Sequence, residues 1–335
     1  MTPSPAFICS MPRSASTWLG RTLASHPEIA LFGESDYWGR SYIEPSPNGA
    51  YDRGLVNKVV TVQADKDWAA TTGDEQGALP GLLAGQYGRL VATAARVLPD
   101  PATPRSLYLA ICMALSLQQK KSVVVDKTPG HLLFLQRIES AFPDSRCVVV
   151  SREPLGFIAS LTHRKEGRPV HDQPWLRRLA YHPALTVLLW RRYARAMLAL
   201  RQQPRHAILL LDYSDIQKDP GHVLARVCTH LGVDPTRLRE ANGAANSGVQ
   251  RKTRGGLPPA TGHWLRILAK RELRSLYPEV SPPPTTLVAV AISWLLLVPG
   301  MLAFCLYAPR PTHWFKYLLN IIRAGHVRID KGRAG

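Results

Sequence analysis

The sequence predicts an α/β protein, with a P-loop-like parallel β-sheet flanked by helices and a hydrophobic α-helical C-terminal tail. Two observations support this fold class. Short, continuously apolar runs alternate with segments of helical spacing, which is the pattern of βαβ units in a parallel sheet. No residue from Ser281 to Pro309 is charged. With 335 residues, 45% of them hydrophobic, the chain can bury a substantial core, which excludes a mainly disordered protein.

The individual elements follow in order along the chain. Apolar runs predict strands at residues 6–10, 29–32, 122–125, 147–150 and 206–211. Helical spacing predicts helices at residues 16–25, 132–141, 154–163 and 184–200. Residues 35–105 have few clear periods, so we expect loops with one or two helices there. We therefore expect one α/β domain over residues 1–280 and a distinct tail over residues 281–335.

The charge and the cysteine content indicate which kinds of partner and cofactor the protein binds. Lysine and arginine number 42 against 24 acidic residues, which gives a formal net charge of +18. This surplus indicates an anionic partner: nucleic acid, a phosphate-rich cofactor or a membrane surface. The five cysteines are dispersed and typical of buried reduced thiols, and no cluster has metal-ligand spacing, so we expect no metal. The first apolar run is too short for a signal peptide, so we expect a cytoplasmic main domain.

The turn between the first predicted strand and helix is rich in anion-binding groups. A helix N-terminus offers unpaired N–H groups, Arg13 adds charge, and small residues let an anion approach the backbone. We expect a phosphate-binding loop formed by Pro12, Arg13, Ser14, Ala15, Ser16, Thr17 and Trp18. It lacks the Gly-Lys-Ser/Thr of a Walker A loop, which argues against a nucleoside-triphosphate kinase. An ordinary capped turn is the alternative.

A second candidate phosphate site follows the fourth predicted strand. Arg152 lies where that strand ends, and Ser160 lies two turns into the next helix. An arginine and a hydroxyl on the same side can clamp a phosphate. The alternative is a surface arginine at a strand end.

In this order along the chain, these segments resemble the sulfotransferases that use 3′-phosphoadenosine-5′-phosphosulfate (PAPS). Residues 13–18 resemble that family's 5′-phosphosulfate loop, with Ala15 where a glycine is usual. Arg152 and Ser160 resemble its 3′-phosphate motif, and Tyr213 resembles a tyrosine near the adenosine. The resemblance implies the sulfotransferase fold, with PAPS as co-substrate and no metal.

Two further segments resemble the bacterial, tyrosylprotein and carbohydrate-type branch of this family. The segment HPEIALFGE carries a glutamate that this resemblance makes the catalytic base, Glu34. The segment DKTP carries a lysine that it makes catalytic, Lys127. The alternatives are a solvated loop carboxylate and a surface lysine. The core resemblance runs from about residue 6 to residue 255.

The mechanism implied by the resemblance is in-line transfer of a sulfuryl group to an acceptor hydroxyl, controlled by positioning and electrostatics. Arg13, Lys127 and the loop amides would stabilise the leaving oxygen, and Glu34 would accept the hydroxyl proton. The resemblance also implies that Arg251 and Lys252 close over the 3′-phosphate, a plain solvated loop being the alternative.

The tail has the composition of a membrane-associated segment. Residues 287–308 are almost wholly apolar and long enough for a membrane helix, but Pro299-Gly300 interrupts them, so a bent hairpin is equally consistent. Residues 314–323 predict a basic amphipathic helix, of the kind that lies in a headgroup layer. We expect a membrane surface as a partner. A buried hydrophobic helix or a dimer interface is the alternative.

The predicted function is transfer of a sulfuryl group from PAPS to a hydroxyl of a lipid, glycolipid or glycan, with tyrosine or a small molecule also open. Two alternatives remain: a membrane-tethered, non-catalytic anion- or nucleotide-binding protein of this fold, and a nucleotide-dependent kinase. A nucleic-acid partner is not expected, because the basic residues are scattered and no interleaved aromatic and basic motif occurs.

Overall fold

The computed structural model describes residues 5–39, 42–64, 86–162, 174–203, 207–238 and 256–307. Its centre is a five-stranded parallel sheet with the order β2-β3-β1-β4-β5. The strands are β1 (Pro5–Ser10), β2 (Ile29–Leu31), β3 (Val123–Lys127), β4 (Cys147–Ser151) and β5 (Ile208–Asp212). The predicted fold class is confirmed, and each predicted strand agrees with an observed one to within two residues at either end.

Helices occupy most of the remaining described residues. They are α1 (Ser16–Ala24), α2 (Arg53–Ala64), α3 (Gln86–Arg96), α4 (Pro104–Gln119), α5 (Leu135–Ala141), α6 (Pro154–Thr162), α7 (Pro174–Ala180), α8 (Pro183–Gln202), α9 (Tyr213–Lys218), α10 (Pro220–Leu231), α11 (Thr261–Leu268), α12 (Lys270–Leu276), α13 (Leu287–Leu295) and α14 (Leu297–Tyr307). Two short 3₁₀ helices span Pro129–Phe134 and Pro235–Arg237. The single helix predicted at residues 132–141 is therefore wrong in its first turn, because a 3₁₀ helix opened by Pro129 precedes α5.

Both faces of the sheet are covered, as a parallel sheet requires. All six residues of the central strand β1 are buried. Phe7 and Cys9 belong to one core cluster, to which α4 and α8 contribute, whereas Ala6 and Ile8 belong to a second cluster with α1 and α10. This division follows from the alternation of strand side chains between the two faces.

Sequence patterns missed helix α4, which begins at the end of the region expected to be irregular. Thr103 caps it: the Thr103 hydroxyl accepts from Ser106 N at 3.0 Å, and the Ser106 hydroxyl accepts from Thr103 N at 2.8 Å. This capping box and the proline at the first helical position are start signals that the sequence contained. The helix buries Tyr108, whose hydroxyl donates to Asp126 Oδ2 at 2.8 Å.

The C-terminal helices α13 and α14 meet at Leu296 with a bend of 49°. The break lies before Pro299, because a proline ring clashes with the carbonyl four residues earlier but fits in the first turn of a helix. Among the residues described, no single helix is long and apolar enough to cross a membrane; the bent pair reaches that length and composition only together. The amphipathic helix predicted at residues 314–323 lies outside the described residues.

Helix α13 packs against the body of the protein through a small polar cluster. Trp264 Nε1 donates to Ser293 Oγ at 2.8 Å, and His182 Nε2 lies 3.0 Å from the carbonyl oxygen of Ser293. A methyl group on Gly300 of α14 would lie 3.0 Å from His182 Cβ, so a glycine lets this helix approach closely. One face of the helix pair is therefore packed against α7, His182 and α11.

Candidate active site

The candidate site residues follow the carboxyl ends of four neighbouring strands, where ligands bind in open α/β sheets. Arg13 and Ser14 follow β1, Arg152 follows β4, and Tyr213 follows β5. Lys127 is the last residue of β3. We distinguish two parts of the site. The anion corner comprises Arg13, Ser14, Arg152 and Ser160, and the acid–base corner comprises Glu34 and Lys127.

The loop after β1 has a backbone shaped for close approach. Arg13 and Ala15 have positive φ angles of 66° and 60°, which non-glycine residues rarely adopt. Ala15 is also the N-cap residue of α1, and no side chain caps this helix. Ser16 is buried, whereas Thr17 is exposed and Pro12 and Trp18 are half-buried. The amides at the start of α1 thus lack the side-chain acceptor that usually satisfies them.

Three buried polar atoms near this loop have no hydrogen-bond partner among the described residues: Ser10 Oγ, Ser14 Oγ and Arg152 Nε. Ser14 is fully buried and Arg152 is 7% exposed. A buried polar group left unpaired costs about 1–3 kcal/mol. An anion that supplies acceptors here would remove this cost, so the donor set suits a phosphate or sulfate group.

Arg152 is held in place on several sides. Its guanidinium lies 4.0 Å from the centre of the Tyr213 ring, and its Nη1 donates to the Arg13 carbonyl oxygen. Trp190 Nε1 donates to the Arg152 carbonyl oxygen at 3.0 Å. Burial lowers the pKa of Arg152, but an arginine remains charged in a protein. Arg152 is therefore a buried, oriented cation, and the alternative of a surface arginine is wrong.

The two predicted phosphate sites are in direct contact. Arg13 Nε donates to Ser160 Oγ at 3.1 Å, although the sequence assigns these residues to different phosphates. Gly156, in the first turn of α6, supports the arrangement: a methyl group there would lie 3.1 Å from Arg152 Nε and Nη2. Neither Gly156 nor Trp190 was expected to contribute, and only the folded chain brings Trp190 to Arg152, 38 positions away.

Glu34 and Lys127 form an ion pair, with 2.5 Å between Lys127 Nζ and Glu34 Oε1. The side chain of Lys127 is 5% exposed and that of Glu34 is 34% exposed. Lys127 is thus not a surface lysine, whereas the Glu34 side chain is partly exposed to solvent. A methyl group on Gly20 of α1 would lie 3.2 Å from Lys127 Cγ, so this glycine leaves room for the lysine stem.

Other predicted features lie beyond what can be described. Arg251 and Lys252, expected over the 3′-phosphate, are outside the described residues. Within the described ranges, no group of three or more His, Cys, Asp or Glu side chains is suited to a metal ion.

A sequence model of the family described as "Sulfotransferase family" matches residues 5–237 of this chain. The matched span includes Arg13, Glu34, Lys127, Arg152 and Tyr213. No curated protein matches the sequence.

Solved structures with similarity to this chain include three sulfotransferases. The sulfotransferase domain from the curacin biosynthetic pathway is 18% identical, with 88% of this chain and 98% of that domain covered and a TM-score of 0.46. The sulfotransferase domain from the Synechococcus PCC 7002 olefin synthase is 21% identical, with 88% and 95% covered and a TM-score of 0.40. The sulfotransferase from Alicyclobacillus acidocaldarius is 15% identical, with 83% and 96% covered and a TM-score of 0.44.

Proposed function

The chain belongs to the sulfotransferase family, and from that membership we propose that it transfers a sulfuryl group from PAPS to the hydroxyl of an acceptor. The observation that carries this proposal is the anion corner. Ser14 Oγ and Arg152 Nε are buried donors without partners, next to a loop whose helix N-terminus has no side-chain cap. A binding site for anionic groups explains why these costly features persist.

The residues present fit PAPS, which would supply an activated sulfuryl group when bound. The loop residues Arg13, Ser14, Ser16 and Thr17 would hold its 5′ end, because they combine amides, hydroxyls and one positive charge. Arg152 and Ser160 would hold its 3′-phosphate, and the face of Tyr213 not occupied by Arg152 would lie near its adenosine. These assignments rest on the family resemblance and on the donors that the anion corner offers.

The acid–base corner supplies the proton transfer. Glu34 would accept the proton of the acceptor hydroxyl as the new oxygen–sulfur bond forms. Lys127 would balance the negative charge that develops on the leaving oxygen as its bond to sulfur breaks. Lys127 is paired with Glu34 in this structure, so a lysine that turned to a negatively charged leaving group would free the Glu34 carboxylate to accept the proton.

The first experiment is calorimetric titration of the protein with adenosine 3′,5′-bisphosphate, followed by assay of its release from PAPS with 4-nitrophenol, a tyrosine peptide and glycolipid vesicles as hydroxyl probes. We expect Arg152→Ala to weaken the bisphosphate affinity by about 10- to 100-fold, the loss typical of a charged hydrogen bond. Arg96→Ala, which removes an exposed arginine on α3, is the matched control and should leave the affinity unchanged. Folded protein that binds no bisphosphate would sink the proposal.

We further propose that the acceptor is a hydroxyl at a membrane surface and that the domain works on its cytoplasmic face. The support is the outer face of the α13–α14 pair, where large apolar side chains are 43–87% exposed. They are Leu287, Val288, Ile292, Trp294, Leu295, Leu296, Val298, Met301 and Leu302. Residues 308–335 contain six Lys or Arg and one Asp, which suits an anionic lipid surface.

Sedimentation with anionic and with zwitterionic phospholipid vesicles tests this surface. Replacing Leu287, Leu295 and Leu302 by serine should abolish binding to anionic vesicles. Replacing Val97, just after α3, and Leu117, in the last turn of α4, should not, although each is 76% exposed. The parent protein could instead bind neither kind of vesicle and form dimers that the triple variant does not form. That result would identify this face as an oligomer interface.

A further inference from the structure

We propose that Asp126 is the positioning residue of the acid–base corner: it fixes the segment that follows Glu34 and thereby keeps Glu34 beside Lys127. The inference rests on the proposed function, because it concerns the proton acceptor of that reaction. Asp126 precedes Lys127 at the end of β3 and is fully buried.

The carboxylate of Asp126 accepts hydrogen bonds from three hydroxyl groups. Its Oδ1 accepts from Thr128 Oγ1 at 2.6 Å. Its Oδ2 accepts from Tyr108 OH at 2.8 Å and from Ser35 Oγ. Hydrogen bonds to a carboxylate are about twice as strong as those between neutral groups. Asp126 is therefore a fixed centre that joins α4, the end of β3 and the segment after Glu34.

Two of these hydroxyls also accept hydrogen bonds from backbone N–H groups next to Glu34. Ser35 Oγ accepts from Tyr37 N at 3.2 Å, and Thr128 Oγ1 accepts from Asp36 N at 3.3 Å. Asp36 has a φ angle of 50°, a conformation that persists only when its surroundings hold it. The residues immediately after Glu34 are thus tied, through two hydroxyls, to one carboxylate.

A histidine extends the same network by one further step. His131 Nδ1 lies 3.9 Å from Asp126 Oδ1, and His131 Nε2 accepts from Trp38 N at 3.3 Å. Consecutive residues of a strand point to opposite faces, so Asp126 serves the α4 side while Lys127 serves the α1 side. One strand end therefore places the lysine directly and the glutamate through hydrogen bonds.

A purely structural role for Asp126 makes a different prediction from a positioning role. The Tyr108 hydroxyl donates to the carboxylate from α4, and the Tyr108 ring packs against the rings of Tyr37 and Trp38, a contact that Tyr108→Phe keeps. The Ser35 and Thr128 hydroxyls differ, because each also accepts from the backbone of the segment after Glu34. Tyr108→Phe, Ser35→Ala and Thr128→Val each delete one hydroxyl from the same centre. If Asp126 only stabilises the core, the three changes should act alike on turnover.

The test measures kcat with the fastest of the hydroxyl probes, affinity for adenosine 3′,5′-bisphosphate, and hydrogen exchange at Asp36 and Tyr37. We expect Asp126→Asn, Ser35→Ala and Thr128→Val to lower kcat by about 10- to 100-fold, as a misplaced catalytic group does. Bisphosphate affinity should change less than about twofold, since the anion corner is untouched. Exchange at Asp36 and Tyr37 should accelerate.

The controls separate the possible outcomes. Tyr108→Phe should keep kcat within about threefold of the parent, because the segment after Glu34 keeps both its hydroxyls. Thr128→Ser should restore kcat, because it returns the hydroxyl. Equal losses of kcat in Tyr108→Phe and Ser35→Ala, or a parallel loss of bisphosphate affinity, would overturn the positioning role. If the parent protein neither binds the bisphosphate nor turns over a probe, the proposed function fails, and accelerated exchange at Asp36 and Tyr37 in Asp126→Asn still decides whether Asp126 holds that segment.

Discussion

The two corners of the site differ in whether their buried polar groups have hydrogen-bond partners. In the anion corner, Ser14 Oγ and Arg152 Nε are buried without partners. In the acid–base corner, Lys127 is paired with Glu34, and the neighbouring residue Asp126 accepts hydrogen bonds from three hydroxyls. Under the proposed function a ligand would complete the first corner, whereas the protein's own side chains complete the second. Substitutions in the first should therefore act on binding, and substitutions in the second on turnover.

Removing the proton acceptor should give the largest effect. We expect Glu34→Gln to lower kcat by about 10²- to 10⁴-fold, the usual contribution of a general base. The affinity for adenosine 3′,5′-bisphosphate should stay the same, because Glu34 makes no contact with the anion corner. Glu28→Gln is the matched control, since Glu28 also pairs with a cation, Arg237, and lies away from the site. Full turnover in Glu34→Gln would reject this residue as the base.

Ser14→Ala and Ser35→Ala should differ in the quantity they change: the first should weaken ligand binding, and the second should lower the stability of the fold. We expect Ser14→Ala to weaken bisphosphate binding by about 2- to 10-fold, the value of one hydrogen bond, without lowering the free energy of unfolding. Ser35→Ala removes a satisfied hydroxyl, so it should lower that free energy by about 1 kcal/mol and leave binding intact. Calorimetry and denaturant unfolding of both variants measure the two quantities. Equal behaviour of the two serines would remove the distinction between the corners.

A methyl group pressed against Lys127 should affect turnover alone. The Gly20 and Gly54 positions each place a new methyl 3.2 Å from another residue, but Gly20 faces Lys127 Cγ and Gly54 faces an exposed Asp52 Oδ1. We expect Gly20→Ala to lower kcat by about 3- to 10-fold through a displaced lysine. Gly54→Ala should leave kcat unchanged. An unaltered kcat in Gly20→Ala would mean that the lysine stem moves aside freely.

The smallest effect concerns the backbone of the anion corner. Ala15 has a left-handed conformation that costs an alanine about 1–2 kcal/mol, whereas glycine adopts it freely. After the entropy loss of glycine, we expect Ala15→Gly to raise the free energy of unfolding by about 0.5 kcal/mol. Ala24→Gly, in the last turn of the same helix, should lower it by about 1 kcal/mol. Denaturant unfolding compares the two, and a loss of stability in Ala15→Gly would show that the loop has no strain to relieve.

Local patterns predicted the sheet well but missed several helices, namely α4, α7 and α9 to α12. The strands were recognisable because buried parallel strands are continuous apolar runs in the sequence. Helix α4 was missed although the sequence contains its capping box. Its buried residues Leu107, Ile111 and Leu115 also have helical spacing. The break at Leu296 was expected a few residues too late, at Pro299, because a proline disturbs the turn before it rather than its own.

The sequence by itself determined which local segments form the sheet, the position of the candidate phosphate loop after β1 and that of the arginine that follows β4. These features depend on neighbouring residues, so propensity and spacing are sufficient to predict them. Only the tertiary structure decided that Glu34 meets Lys127 across 93 positions, and that Asp126 binds hydroxyls 91, 18 and 2 positions away. The parallel register that pairs Leu31 with Val125 brings these segments to one edge of the sheet, and register between distant strands is set by packing rather than by local pattern.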